Sequence, residues 1–278
     1  DGYLYATDVR DLTSRALFPT PEARPRHDRE TYGACPGPVT GGFRPHGLSL
    51  RPGFDTSHTL YVVRHGEREA IEVFEVDVGA ASPTLVWIGC VVAPEGVSMN
   101  SVAALPGGGF VVTNFQIPAG ELLEWQPGEG WEGVPGSETA GPNGIVVSED
   151  GRWFYIGGWG TQSLIRLSRG QTPPEISSVD VGHHIDNVRW APDGSLLAAG
   201  HVGETQASIM QCLGQGRGCD SVRSMVTRVD PERLTAREII RYPSNDLLIL
   251  GTVAIEVGGE IWVGGIAGGT RIARFTLR

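Results

Sequence analysis

Asn143-Gly144-Ile145-Val146-Val147-Ser148-Glu149-Asp150-Gly151-Arg152-Trp153-Phe154-Tyr155-Ile156 reads as two short β-strands joined by a tight turn, because two apolar runs flank a Glu-Asp-Gly corner. Forty-three residues on, Asp186-Asn187-Val188 leads through Pro192-Asp193-Gly194 into Leu196-Leu197-Ala198-Ala199, the same pattern. Working outward, three more copies appear. His46-Gly47-Leu48 passes through Arg51-Pro52-Gly53 to Leu60–Val63, and Asn100-Ser101-Val102 passes through Pro106-Gly107-Gly108 to Phe110–Thr113. Gly251-Thr252-Val253 passes through Gly258-Gly259 to Glu260–Val263. Asp1-Gly2 before Tyr3-Leu4-Tyr5 resembles a sixth turn and second strand without its leading strand.

A recurrence near 43 residues with four short strands per unit predicts a propeller blade, and the strand pattern excludes a helical solenoid. The segment after His46 supplies all four strands at Gly47–Leu50, Leu60–Val63, Ile71–Val76 and Leu85–Cys90. Six copies of the second strand predict an all-β, six-bladed propeller with four-stranded blades, one domain over residues 1–278. The N-terminal strands of the ring are absent from this reading, and the period predicts about 20 to 40 further residues ahead of Asp1. Phe18 to Phe43 is rich in proline and glycine and lacks periodicity, so it is expected to be a long loop near the site.

Composition agrees with strands and turns. Forty glycines and 19 prolines in 278 residues disfavour long helices. No apolar run reaches the ~20 residues of a membrane-spanning helix. The net charge of −10 and the lack of a basic cluster disfavour a nucleic-acid partner. All 22 basic residues are arginine, which excludes lysine Schiff-base chemistry and a phosphate-loop lysine. No Gly-x-Ser-x-Gly elbow and no strand-linked dinucleotide fingerprint occurs. Of the four cysteines, Cys212 and Cys219 bracket a short glycine-rich segment that either closes as a disulfide, favouring a periplasmic or secreted protein, or holds free thiols. Cys35 and Cys90 are far apart in sequence and fit no zinc spacing.

The inner strand of each blade lines the propeller axis, so His46, Asn100, Asn143, Asp186 and Gly251 are expected to share one ring. With Asn187, these amide and carboxylate oxygens are hard ligands that suit calcium better than zinc, copper or magnesium. Asparagine and aspartate are also ordinary turn residues, but the turn lies at the other end of these strands. Five of the seven histidines, His46, His65, His183, His184 and His201, fall near strand ends on the same face. An imidazole beside a polarised substrate oxygen can serve as a general base near neutral pH, with a second as relay.

Phe43-Arg44-Pro45-His46-Gly47-Leu48-Ser49, Tyr61-Val62-Val63-Arg64-His65 with Ile71-Glu72-Val73-Phe74, Gly141-Pro142-Asn143-Gly144, Ile185-Asp186-Asn187-Val188 and Gly251-Thr252-Val253-Ala254 together resemble the paraoxonase and arylesterase branch of the six-bladed propellers that include gluconolactonase and regucalcin. The resemblance implies a calcium held by Asn100, Asn143, Asp186 and Asn187 with one further glutamate, His46 as base and His65 as its relay. It also implies hydrolysis of lactones and aryl esters. His183, His184, His201 and Thr252 are candidate pocket residues. Ser101 stands where that family has an aspartate serving a second, structural calcium, so one central calcium is expected. The alternatives are a related propeller acting on a sugar lactone or by lyase chemistry with the same metal, and a propeller that binds a metal or ligand without chemistry.

Overall fold

The second strand of each repeat is its most apolar stretch because it is covered on both faces, as Phe110–Asn114 and most of Leu196–Val202 are. The computed structural model describes residues 2–21, 23–215, 219–267 and 271–277. It is an all-β propeller of antiparallel meanders, and its strands gather into two compact units, Asp1–Phe115 with Leu122–Gly133, and Gln116–Glu121 with Val134–Arg278.

In the first unit, β1 (Leu4–Thr7) pairs with β2 (Ser14–Phe18) as a two-stranded sheet. One blade follows as β3 (Arg44–Arg51), β4 (Ser57–His65), β5 (Ala70–Asp77) and β6 (Thr84–Val92), the next as β7 (Met99–Ala104), β8 (Phe110–Asn114), β9 (Glu121–Gln126) and β10 (Gly130–Gly133). Its core joins Phe18, Phe43 and Phe74 edge to face with a group containing Tyr61, Phe110 and Trp125.

The second unit holds a blade of β11 (Pro142–Val147), β12 (Trp153–Gly158), β13 (Ser163–Ser168) and β14 (Ile176–Asp180). It continues with β15 (His184–Trp190), β16 (Leu196–Val202), helix α1 (Gln206–Gln215), β17 (Arg223–Val229) and β18 (Ala236–Pro243). The last sheet is β19 (Ile249–Val257), β20 (Glu260–Ala267) and β21 (Ile272–Thr276). Val188, Leu196 and Leu164 pack between the first two blades of this unit, and Ala199, Val226 and Ile261 between the second and third.

Among the described residues five blades are therefore present where six were expected. Tyr3-Leu4-Tyr5, at the start of Leu4–Thr7, is the run that suggested a sixth, but after its partner Ser14–Phe18 the chain enters the proline-rich stretch, and among the described residues no third strand joins that sheet. The last blade has three strands among the described residues rather than four. Asp1 of the Asp1-Gly2 turn and residues 216–218 between Cys212 and Cys219 lie outside the described residues.

Of the two alternatives for Cys212 and Cys219 the structure has the disulfide, and Cys35 also joins Cys90 despite a separation of 55 residues. Both fit an oxidising compartment. Cys212 sits on a helix, not in a glycine loop, and is buried with Ile209 on the inner side of that helix. No helix among the described residues is long and apolar enough to cross a membrane.

The stretch from 19 to 43 does two jobs. Arg26 and Asp28 donate backbone N–H groups to Trp87 and Ile88 of β6, and Tyr32 is buried in the core, so this part covers the outer edge of the blade. Farther on, Gly37 and Gly42 offer carbonyls to Arg68 and Arg64 in and beside the β4–β5 turn. Arg64 is buried in the blade and serves this packing.

Candidate active site

Each of the five inner strands breaks register with its neighbour at one place, and the polar column sits there. The irregularity falls between Pro45 and Leu48, Met99 and Val102, Pro142 and Ile145, Ile185 and Asn187, and Gly251 and Val253. His46, Asn100, Asn143, Asp186 and Thr252 are thus bulge residues, freed from regular pairing and re-aimed as bulges permit. In the last blade the bulge residue is Thr252, one position beyond Gly251.

Close approach of neighbouring strands fixes two bulges. A Cβ on Gly47 would fall 2.5 Å from the backbone oxygen of Asn100, and one on Gly144 would fall 2.5 Å from the Cα of Asn187. Backbone occupies those spaces, so no larger residue fits without moving a strand.

In the first unit the two expected histidines meet. His46 Nδ1 lies 2.7 Å from His65 Nε2, and His65 Nδ1 lies 2.8 Å from Glu69 Oε2. An ionised carboxylate only accepts, so His65 carries its proton on Nδ1, accepts from His46 Nδ1–H, and leaves His46 Nε2 as a lone pair. His46 is exposed, yet the surrounding protein desolvates it enough to lower its pKa, His65 adding to that effect and Glu69 opposing it. Asn100 is half-buried at its bulge, and Ser101 beside it is fully buried with its N–H held by Thr113 Oγ1.

Glu69 was not among the sequence candidates. His65-Gly66-Glu67-Arg68-Glu69 offers two glutamates in a turn, and only the path of that turn separates Glu67, whose side chain is largely exposed, from Glu69.

In the second unit Asn187 Nδ2 bridges Asp186 Oδ1 at 2.9 Å and the Thr252 carbonyl at 3.0 Å, tying two adjacent inner strands together. Asn143 is buried. Burial pushes the Asp186 carboxyl up to about 7, against the opposing field of Arg189.

The other three candidate histidines, His183, His184 and His201, are packed inward. His183 is fully buried and bonds Thr227 Oγ1 at 3.1 Å, and burial lowers its pKa to about 4. His184 Nδ1 donates to the Trp159 carbonyl at 2.6 Å, and Trp159 Nε1–H donates to His201 Nε2 at 3.0 Å. Burial, with the neighbouring His184 and His183, lowers His201 to about 4. Trp159, which no motif marked, closes over both His184 and His201.

Among the described residues no group of three or more His, Cys, Asp or Glu side chains is gathered for a metal. The donors of the second unit are instead Asp186 with the amides of Asn143 and Asn187, all oxygen donors of the kind calcium takes. Burial raises this carboxyl to about 7 even with Arg189 opposing the shift, and a bound cation would further favour its charged form. In donor type, though not as a gathered group of carboxylates, these residues are compatible with calcium.

No protein-family model and no curated protein matches the chain. Among solved structures it is similar to a luciferin-regenerating enzyme, at 13% identity over 85% of this chain and 78% of that one with a TM-score of 0.52. It is also similar to a streptogramin B lyase, at 13% identity over 84% and 68% with a TM-score of 0.50. Likeness at this identity speaks for the fold alone: the chain shares a β-propeller architecture with these enzymes.

Proposed function

We propose that the chain is a calcium-dependent hydrolase of lactones or aryl esters in which His46 activates water. The observation that carries this reading is the chain of hydrogen bonds from exposed His46 through His65 to Glu69, which a merely structural calcium does not require. His46 Nε2 takes a proton from water as the water oxygen bonds to the carbonyl carbon. The same proton returns to the leaving oxygen when the ester C–O bond breaks. His65 orients His46 and spreads the imidazolium charge. Calcium, when bound, supplies polarisation of the ester carbonyl, with Asn143, Asp186 and Asn187 of the second unit as proposed ligands.

A panel of lactones and aryl esters assayed with calcium across pH tests this. Because desolvation lowers the His46 pKa, its basic form prevails at neutral pH. The expected kcat/KM therefore climbs with pH through a midpoint below the ordinary histidine value of ~6.5 and levels off above that midpoint. No hydrolysis of any member, or a rate that falls as His46 loses its proton, overturns the reading.

A further inference from the structure

Glu69 engages two partners at once. Oε2 accepts from His65 Nδ1 at 2.8 Å, and Oε1 accepts the backbone N–H of Met99 at 2.7 Å. Met99 opens β7, one residue before Asn100. The turn that carries Glu69 is itself clamped. Arg68 donates to the Gly37 carbonyl at 2.9 Å and through two nitrogens to Glu72 Oε1 at 3.0 and 2.7 Å. Glu72 is fully buried and also accepts Trp87 Nε1–H at 2.7 Å. A carboxylate held at both oxygens on a clamped turn has a fixed direction, as the third group orienting a catalytic imidazole must.

We infer that Glu69 is the positioning residue of a three-membered proton relay, holding His65 as the Nδ1–H tautomer so that His46 keeps its proton on Nδ1 and presents a basic Nε2 to solvent. This rests on the reading of His46 as the general base. When Nε2 takes the proton from water, the two imidazoles together carry one positive charge, and the Glu69 carboxylate offsets it without accepting a proton. The ionisable groups acting on His46 are His65 on β4 and Glu69 in the β4–β5 turn. Arg44 lies opposite His65 in register, and the Met99 amide is the partner from β7. The carboxylate also ties the relay to the strand that bears Asn100.

The test is nitrogen-15 NMR of the histidine rings in the intact protein, wild type and Glu69→Gln, read beside steady-state kinetics and with Glu69→Asp as the conservative variant. In the wild type above pH 8, both Nδ1 atoms are expected to be protonated and both Nε2 atoms bare. In Glu69→Gln the His46 midpoint is expected to fall by about one pH unit, since a nearby negative charge is lost. kcat falls about 100-fold with KM within about twofold, and Glu69→Asp regains part of kcat. A His65 protonated on Nε2 in the wild type, or a His46 midpoint that Glu69→Gln leaves in place, overturns the relay. Should Glu69→Gln fail to fold, the wild-type tautomers decide alone. The expected tautomers in a protein that hydrolyses no ester support the relay and overturn the hydrolase reading.

Discussion

His46→Gln lowers kcat/KM for the preferred lactone or aryl ester by about 10³-fold, within the range expected when a general base is removed. The fold does not depend on this side chain. His46 is exposed and makes one side-chain hydrogen bond, to His65, so unfolding free energy is expected to change by less than about 0.5 kcal/mol. The residual rate should also lose its acid limb, because the titrating base is gone. His65→Gln is expected to cost less, since it leaves the attacking imidazole in place and removes only its orientation. Kinetics and urea unfolding on the same preparations separate these effects. A loss in kcat/KM smaller than about threefold for His46→Gln, in a folded protein, would remove His46 from the chemistry.

The largest expected stability effect lies elsewhere, at the Cys35–Cys90 bridge. Its sequence separation of 55 means that the cross-link withholds about 4 kcal/mol of chain entropy from the unfolded state. Replacing both cysteines by serine is expected to destabilise the protein by about that amount. The bridge pins the stretch from 19 to 43 along β6, where it supplies hydrogen bonds to Trp87 and Ile88 and buries Tyr32. Its loss uncovers a sheet edge as well as loosening a loop. Cys212–Cys219, with a separation of 7, should contribute about 2.5 kcal/mol on the same reasoning. Equilibrium unfolding of the two double-serine variants checks the order. Equal effects, or a larger one at Cys212–Cys219, would show that the long bridge does not hold the blade edge closed.

What could be read from the sequence follows from where each residue type is forced to sit. Phe110–Asn114 and most of Leu196–Val202 are buried, so both runs are largely apolar, and the repeat shows through them. The same logic misled at Leu4–Thr7: an apolar second strand does not reveal how many partners its sheet recruits. The polar column was legible because a bulge at a constant place puts Asn100, Asn143 and Asp186 in register, yet it slipped by one at Thr252, where the register alone pointed to Gly251. His46 and His65 stand on adjacent paired strands, so their meeting follows from the hairpin.

Glu69 and Trp159 were not legible, since each acts through a contact set by the path of a turn or loop rather than by strand periodicity. For His183 and His184 the sequence supplied the pair but not their directions. His183, in the bend just ahead of β15, reaches Thr227, while His184, the first residue of the strand, reaches the Trp159 carbonyl. Helix α1 was hidden because Gly214 and the two cysteines look like loop chemistry, while the few buried contacts that hold it, Ile209 and Cys212, are too short a pattern to show a period.

Calcium content measured by elemental mass spectrometry, before and after chelation and beside the hydrolysis rate of the same samples, tests the central claim most directly. About one calcium per chain is expected, lost on chelation together with about nine tenths of the activity or more, and both restored when calcium is returned. The Asn143→Ala, Asp186→Ala variant should retain neither. An unchanged rate in calcium-free protein, or no calcium bound by a folded chain at about millimolar metal, would contradict it.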